Sequence, residues 1–251
     1  MNESRGRLAA HIPNTLTALN LFSGALATVF ALQGALVPAA FLILAGFVFD
    51  LADGLVARLL RVQSELGKEL DSLADLISFG MAPASVLFTI GAGQSGGLPW
   101  DFSQPFSSWW HTLIPFLLPV FAGLRLARFN IDDRQKEHFI GLPTPANGLM
   151  VLALALAASY QPASFLVEWL QSGWFIPSYS LAVSALMVSP IRLYSLKMKG
   201  FTWRKSRFTY LLVILCLPLI LLLGLTGIFL CIPAYVAYTA ILAIIRLDRQ
   251  P

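Results

Sequence analysis

Apolar residues come in long runs along this chain, broken by short polar links, and the pattern predicts eight helices. The runs cover 14–33, 36–60, 68–91, 109–129, 142–160, 173–193, 208–225 and 228–245. Each is close to the roughly 20 residues that a helix needs to cross the hydrocarbon of a bilayer. The second and third differ from the rest because aspartates interrupt them, and they would look weak to a hydropathy scan. Pro143 and Pro145 open the fifth, so its helix is expected to start after them. Thr226 and Gly227 alone separate the last two, which predicts a tight helical hairpin. Between the third and fourth runs, 92–108 contains Gly96, Gly97, Pro99 and Trp100 and reads as a loop. Between the fifth and sixth, 163–171 places Phe165, Leu166, Trp169 and Leu170 around Glu168, the pattern of a short helix lying on a membrane surface. The polar, basic start at 1–13 reads as an interfacial segment. A cleavable signal peptide competes with that reading, but the run after it is longer than a signal's apolar region and lacks a small-x-small site.

Composition agrees with a lipid environment. The chain has 251 residues, of which 57% are hydrophobic and 12% charged. A soluble domain is excluded, and the expected fold is an all-α, polytopic integral membrane bundle of about eight spans. A net charge of +4 calls for no nucleic-acid partner. The placement of the charge is more informative than its sum. Arg5 and Arg7 precede the first run; Arg58, Arg61 and Lys68 surround the second link; Arg125, Arg128, Arg134 and Lys136 the fourth. Arg192, Lys197, Lys199, Arg204, Lys205 and Arg207 surround the sixth, and Arg246 and Arg249 follow the eighth. All 17 lysines and arginines therefore fall on one side of an eight-span topology. Asp101 and Glu168 are the charged residues of the opposite loops. The positive-inside rule then puts both termini, and the link between the aspartate-bearing helices, in the cytoplasm.

Cys216 and Cys231 lie in apolar runs and read as small buried residues. His11, His111 and His138 are scattered, which gives no support to a zinc site or a nucleophilic triad.

Asp50, Asp53, Asp71 and Asp75 are the chemical core of the sequence. Asp50 and Asp53 are three apart, and Asp71 and Asp75 four apart, so each pair shares one helix face. Ala57 lies one turn beyond Asp53 and Gly67 one turn before Asp71, leaving room on the acidic faces for a bulky ligand. A tight break near Gln63 and Ser64 would let the two faces meet. Four carboxylates converging near a membrane interior repel one another and resist burial, and two divalent cations would cancel their formal charge. All-oxygen ligands favour Mg²⁺ or Mn²⁺. A carboxylate-held metal pair suits in-line displacement at phosphorus, and Arg58, one turn beyond Gly54, is placed to meet a phosphate.

The full spacing is Asp50-x2-Asp53-Gly54-x2-Ala57-Arg58-x8-Gly67-x3-Asp71-x3-Asp75. It resembles the signature of the CDP-alcohol phosphatidyltransferases at every fixed position. That family moves a phosphatidyl or similar group from a CDP-linked lipid to an alcohol and releases CMP. The resemblance implies that the four aspartates hold the metals. It implies that Asp53, Gly54, Ala57, Arg58 and Gly67 line the CDP-lipid site, and that Asp75 is the general base on the incoming hydroxyl.

The acceptor must be read elsewhere. Arg125 and Arg128 are three apart at the end of the fourth run, with Asn130 beyond them, and two cations there suit a phosphate or a carboxylate. Topogenic charge or lipid-headgroup contact is the competing explanation. The stretches IPNTLTALNLFSG (12–24), SELGKELDSLADLISFGMAP (64–83), LRLARFN (124–130) and FIGLPTPANG (139–148) resemble the family's bacterial, membrane-embedded phosphatidylserine-forming branch. That likeness implies CDP-diacylglycerol and L-serine as substrates, a cell inner-membrane location and commonly a homodimer. It also implies a six-helix core at 14–193, to which this chain adds a basic link at 194–207 and a hairpin at 208–251.

Three rivals remain at this level. The same chemistry could serve glycerol phosphate, inositol phosphate or an amino alcohol. An intramembrane prenyltransferase also uses aspartates and magnesium, but the later acidic cluster, Asp132, Asp133 and Glu137, lies in a basic loop. A cation channel or transporter would leave Gly54, Ala57 and Gly67 without a role.

Overall fold

Each of the eight apolar runs contains a helix in the computed structural model, which describes residues 3–62, 64–94, 110–131, 139–193 and 203–244. In chain order these are α1 (Glu3–Leu32), α2 (Leu36–Leu60), α3 (Glu65–Asp75), a π-helical turn (Leu76–Met81) and α4 (Ala82–Gln94). A 3₁₀ segment (Trp110–Phe116) leads into α5 (Leu117–Ile131). After β1 (Phe139–Ile140) come α6 (Thr144–Tyr160), α7 (Phe165–Gln171), α8 (Phe175–Val188), β2 (Arg192–Leu193), α9 (Trp203–Leu223) and α10 (Leu225–Ile244). Among the described residues, five helical stretches are long and apolar enough to cross a membrane: 11–32, 36–60, 65–93, 110–131 and 225–242. The fifth run gives α6, and the 163–171 stretch expected to form a short helix gives α7; the two make a bent pair with 98° between them. α8 and the 210–223 part of α9 are shorter apolar helices. The protein is a polytopic membrane helix bundle.

α6 is the centre of the bundle. From Met150 to Ala157 every side chain is buried. Ala153, Ala155 and Ala157 let neighbouring helices approach it closely, as small residues do between helices in lipid. At the periphery large apolar side chains are bare, among them Phe22, Val48, Leu221 and Leu222. Such a surface fits hydrocarbon and not water.

Several boundaries differ from expectation, each for a local reason. α1 begins at Glu3 and runs unbroken through Pro13, so the first helix includes the backbone of the segment expected ahead of it. α6 begins at Thr144 with Pro145 inside its first turn. A proline is tolerated there because its missing N–H has no partner in the helix. The turn between α9 and α10 is at Gly224, in the left-handed region (φ 57°), and Thr226 and Gly227 are already in α10. The Gln161 side chain stitches that turn, donating to the Leu223 carbonyl at 3.3 Å and accepting the Thr226 N–H at 3.2 Å. The short antiparallel pair of β1 and β2 was not foreseen; Phe139 pairs with Leu193 and Ile140 with Arg192. Most of the loop expected at 92–108, and Asp132, Asp133, Arg134, Lys136, Glu137 and His138, lie outside the described residues, as do Lys197 and Lys199.

Candidate active site

The site begins at a sharp reversal of the chain. Arg61, just past α2, adopts a left-handed conformation (φ 53°). Its N–H donates to the Arg58 carbonyl at 3.3 Å, and the Val62 N–H to the Ala57 carbonyl at 3.0 Å. Glycine usually occupies such a position, so an arginine there accepts some backbone strain to close the helix. Ser64 caps α3, its hydroxyl accepting the Gly67 N–H at 3.0 Å. The short connection reverses the chain so that α2 and α3 both pack on α1 and turn their acidic faces toward one another.

One carboxylate oxygen from each of Asp50, Asp53 and Asp71 lies within 4.8 Å of the others. Asp75 is one turn further along α3, outside that trio but within electrostatic reach of Asp50 and Asp71. Asp53 and Asp75 are both buried, at 6% and 8% exposure. α1 holds the first: Thr17 Oγ1 donates to Asp53 Oδ2 at 2.6 Å. α6 and α5 hold the second: Thr144 Oγ1 donates to Asp75 Oδ2 at 3.3 Å and accepts from Arg125 Nη1 at 3.4 Å.

Asp71 Oδ1 and Asp75 Oδ1 are buried and receive no hydrogen bond among the described residues. A buried carboxylate oxygen without a donor is costly. A hard cation bound by oxygen is the partner it fits. Convergent carboxylates with unanswered buried oxygens therefore suit a divalent metal.

A cleft of about 510 Å³ opens beside the trio, between α1, α2 and α3. Asn14, Thr17, Asp53, Gly54, Ala57, Gly67 and Asp71 line it, with Ser64, Glu65 and Lys68 also contributing. The two glycines of the signature do different things. A Cβ on Gly54 would meet only Arg58 Nη2, at 3.9 Å, so the space above it is open to a ligand. A Cβ on Gly67 would stand 2.9 Å from Asn14 Oδ1 and 3.0 Å from Ser64 Oγ. Gly67 thus lets α3 approach α1, beyond any room it leaves for substrate. Arg58 is exposed, with its guanidinium near Gly54 at the cleft.

The three residues read as an acceptor site have different surroundings. Arg125 is buried at 8% exposure beside Thr144 and Asp75, whereas Arg128 is exposed. Three residues of helix rise carry one into the bundle and leave the other at its end. Asn130 ties α5 to α3, donating to Ser72 Oγ at 3.0 Å and Glu69 Oε2 at 3.4 Å, while its carbonyl accepts from Lys68 Nζ at 2.8 Å. Its amide is therefore committed to a helix contact.

Thr17, Asn14 and Thr144 were not singled out from the sequence. A signal for the first two is present: Asn14, Thr17 and Asn20 recur every three residues in an otherwise apolar run, a polar stripe on one helix face. Thr144 carries no such signal, because its partners are distant in sequence.

The profile of the CDP-alcohol phosphatidyltransferase family matches residues 10–177. The chain is similar to three proteins named CDP-diacylglycerol–serine O-phosphatidyltransferase. That of Mycobacterium leprae is 36% identical over 187 residues, 72% of this chain and 57% of that protein. That of Mycobacterium tuberculosis is 35% identical over 204 residues, 76% and 64% of the two chains. That of Helicobacter pylori is 33% identical over 208 residues, 82% and 80% of the two. The chain thus spans less than two thirds of the length of the mycobacterial relatives. The matched region holds the whole aspartate hairpin, the α1 wall that supports Asp53 and the start of α6 that supports Asp75, and on that ground the chain belongs to the CDP-alcohol phosphatidyltransferase family.

Proposed function

We propose that this protein transfers the phosphatidyl group of CDP-diacylglycerol to the hydroxyl of L-serine, giving phosphatidylserine and CMP. The observation that carries the reaction class is the convergence of Asp50, Asp53 and Asp71 beside an open cleft, with the buried Asp75 within electrostatic reach. The serine acceptor rests on the relatives' names and on Arg125.

In this reading Asp50, Asp53 and Asp71 would hold one divalent ion, Mg²⁺ or Mn²⁺, and Asp75 would complete the set for a second. When bound, such ions neutralise the pyrophosphate and stabilise the attacking and leaving oxygens. The cleft takes the cytidine diphosphate, with Gly54 and Ala57 allowing close approach and Arg58 meeting a phosphate. The serine oxygen forms a bond to the phosphatidyl phosphorus, the bridging P–O bond to CMP breaks, and the hydroxyl proton passes to Asp75. Arg125 offers its remaining guanidinium donors to the serine carboxylate; its Nε is buried with no partner among the described residues.

The lysine and arginine bias supports an eight-span topology in the cell membrane, the inner membrane of a bacterium, with both termini and this site facing the cytoplasm. A cysteine placed at Ser64 should resist impermeant reagents added to intact cells; labelling from outside would reverse the orientation. The functional test is CMP release by purified protein with CDP-diacylglycerol and Mn²⁺. Serine, glycerol 3-phosphate, inositol phosphate and choline are offered in parallel. Release driven by serine supports the assignment, and release driven by another acceptor replaces serine with that compound.

A further inference from the structure

Thr144 is the first residue of α6 and is completely buried. The N-cap of α6 is Pro143, which has no side-chain oxygen to cap with, and Thr144 follows it at the first helical position, where its hydroxyl is not called on as a cap. The hydroxyl is directed across to α3 instead, donating to Asp75 Oδ2 at 3.3 Å and accepting from Arg125 Nη1 at 3.4 Å. Threonine supplies one proton and can accept in return, so the order guanidinium to hydroxyl to carboxylate uses each group in its only consistent direction. With Oδ2 engaged, Oδ1 is the free oxygen, and it is buried with no donor among the described residues.

The elements around Thr144 keep it in place. On its N-terminal side, the Gly141 N–H donates to the Ile191 carbonyl at 2.9 Å and the Leu142 N–H to the Leu186 carbonyl at 3.0 Å. One turn along α6, Asn147 Nδ2 donates to the Phe79 carbonyl at 2.9 Å, within the π-turn that follows Asp75. Tyr179 of α8 donates to Asn147 Oδ1 at 2.9 Å and fixes the amide's orientation. A Cβ on Gly148 would stand 2.6 Å from the Phe79 ring, so α6 and the π-turn are in close contact. Asp75 is thereby held twice from α6: at its carboxylate by Thr144, and through the backbone after it by Asn147.

We propose that Thr144 is the positioning residue of Asp75: anchored by Arg125, its hydroxyl binds Oδ2 and leaves Oδ1 free for a bound ion and the acceptor's hydroxyl together. The proposal rests on the reading of Asp75 as general base. Both hydrogen bonds are long for their types, which leaves them room to tighten when acceptor and donor are bound. The hydroxyl meets no substrate atom in this account; it acts on the rate through Asp75, while its contact with Arg125 anchors it.

The test is a double-mutant cycle on the full-length protein in detergent, with serine-dependent CMP release, Mn²⁺ affinity and melting temperature measured on each variant. Thr144→Val keeps shape and removes the hydroxyl. It should lower kcat by about 10–100-fold, the usual loss when a supporting hydrogen bond to a functional ligand is removed. KM for CDP-diacylglycerol and Mn²⁺ affinity should stay near wild type. Thr144→Ser should restore most of the rate. On an Asp75→Asn background, Thr144→Val should cause little further loss, because the base it positions is gone. Equal losses in both backgrounds, or a Thr144→Val enzyme with wild-type kcat, would overturn the proposal while leaving Asp75 as base. An Asp75→Asn enzyme with wild-type kcat would instead remove the base reading, and the proposal with it.

Discussion

Asp53 and Asp75 are buried carboxylates of one acidic cluster, yet they are held by different walls of the bundle. Asp53 leans on a single helix, α1, through Thr17, and its other side opens on a cleft of about 510 Å³. Asp75 is enclosed by α5, α6 and the π-turn, where a Cβ on Gly80 would meet Pro119 at 3.1 Å and a Cβ on Gly148 the Phe79 ring at 2.6 Å. A group that must admit a bulky donor needs space beside it. A group that must take one proton from one oxygen needs a fixed direction, which close packing on several sides supplies. Under the proposed function, the open wall suits donor and metal binding and the closed one proton handling.

Removing the ions attacks both walls at once and should have the largest effect. Chelator-treated protein should release no CMP above background and recover with Mg²⁺ or Mn²⁺. Full activity without divalent ions would leave the unanswered oxygens of Asp71 and Asp75 to be explained otherwise.

The closed wall comes next. Asp75→Asn preserves shape and an oxygen ligand but cannot take the serine proton. It should lower kcat by about 10²–10⁴-fold, with CDP-diacylglycerol binding within a few-fold of wild type.

On the open wall the effect should be smaller and fall on binding. Thr17→Val removes the donor to Asp53 and should raise KM for CDP-diacylglycerol, or the metal requirement, by about 10–100-fold, the range for one hydrogen bond to a charged group. A loss confined to kcat would show that Asp53 belongs with the proton-handling side.

The smallest effect should come from outside both walls. Arg128 is exposed while Arg125 is buried beside Asp75. Arg128→Ala should change the serine KM by no more than about fivefold, as exposed charges contribute little. Arg125→Lys, which keeps the charge and loses the planar fork, should raise it more. The reverse order would place the serine carboxylate at the end of α5.

The open wall was largely legible in the sequence. The aspartate, glycine and arginine spacing is local, since α2 and α3 are consecutive and face periodicity puts Asp50, Asp53 and Asp71 together once the chain reverses at Arg61. The polar stripe of Asn14, Thr17 and Asn20 was present but unread, because a threonine in a membrane helix also satisfies itself on the preceding turn; Thr17 Oγ1 lies 3.0 Å from the Pro13 carbonyl as well as 2.6 Å from Asp53. The closed wall was not legible. Thr144 and Asp75 are 69 residues apart, and nothing in either local pattern announces the other. The π-turn at Leu76–Met81 is a departure from helical hydrogen bonding within an apolar stretch, which hydropathy does not register. Arg125 and Arg128 looked equivalent because spacing of three places two residues on one face without saying how deep that face is buried.

The division of labour between the walls is tested most directly by titrating Mn²⁺ against CMP release for Asp71→Asn and Asp75→Asn side by side. The account predicts that excess metal partly restores Asp71→Asn, a weakened ligand, and leaves Asp75→Asn slow at every concentration. Equal rescue of both would make Asp75 a ligand only, and the proton would then pass to water or to another carboxylate of the cluster.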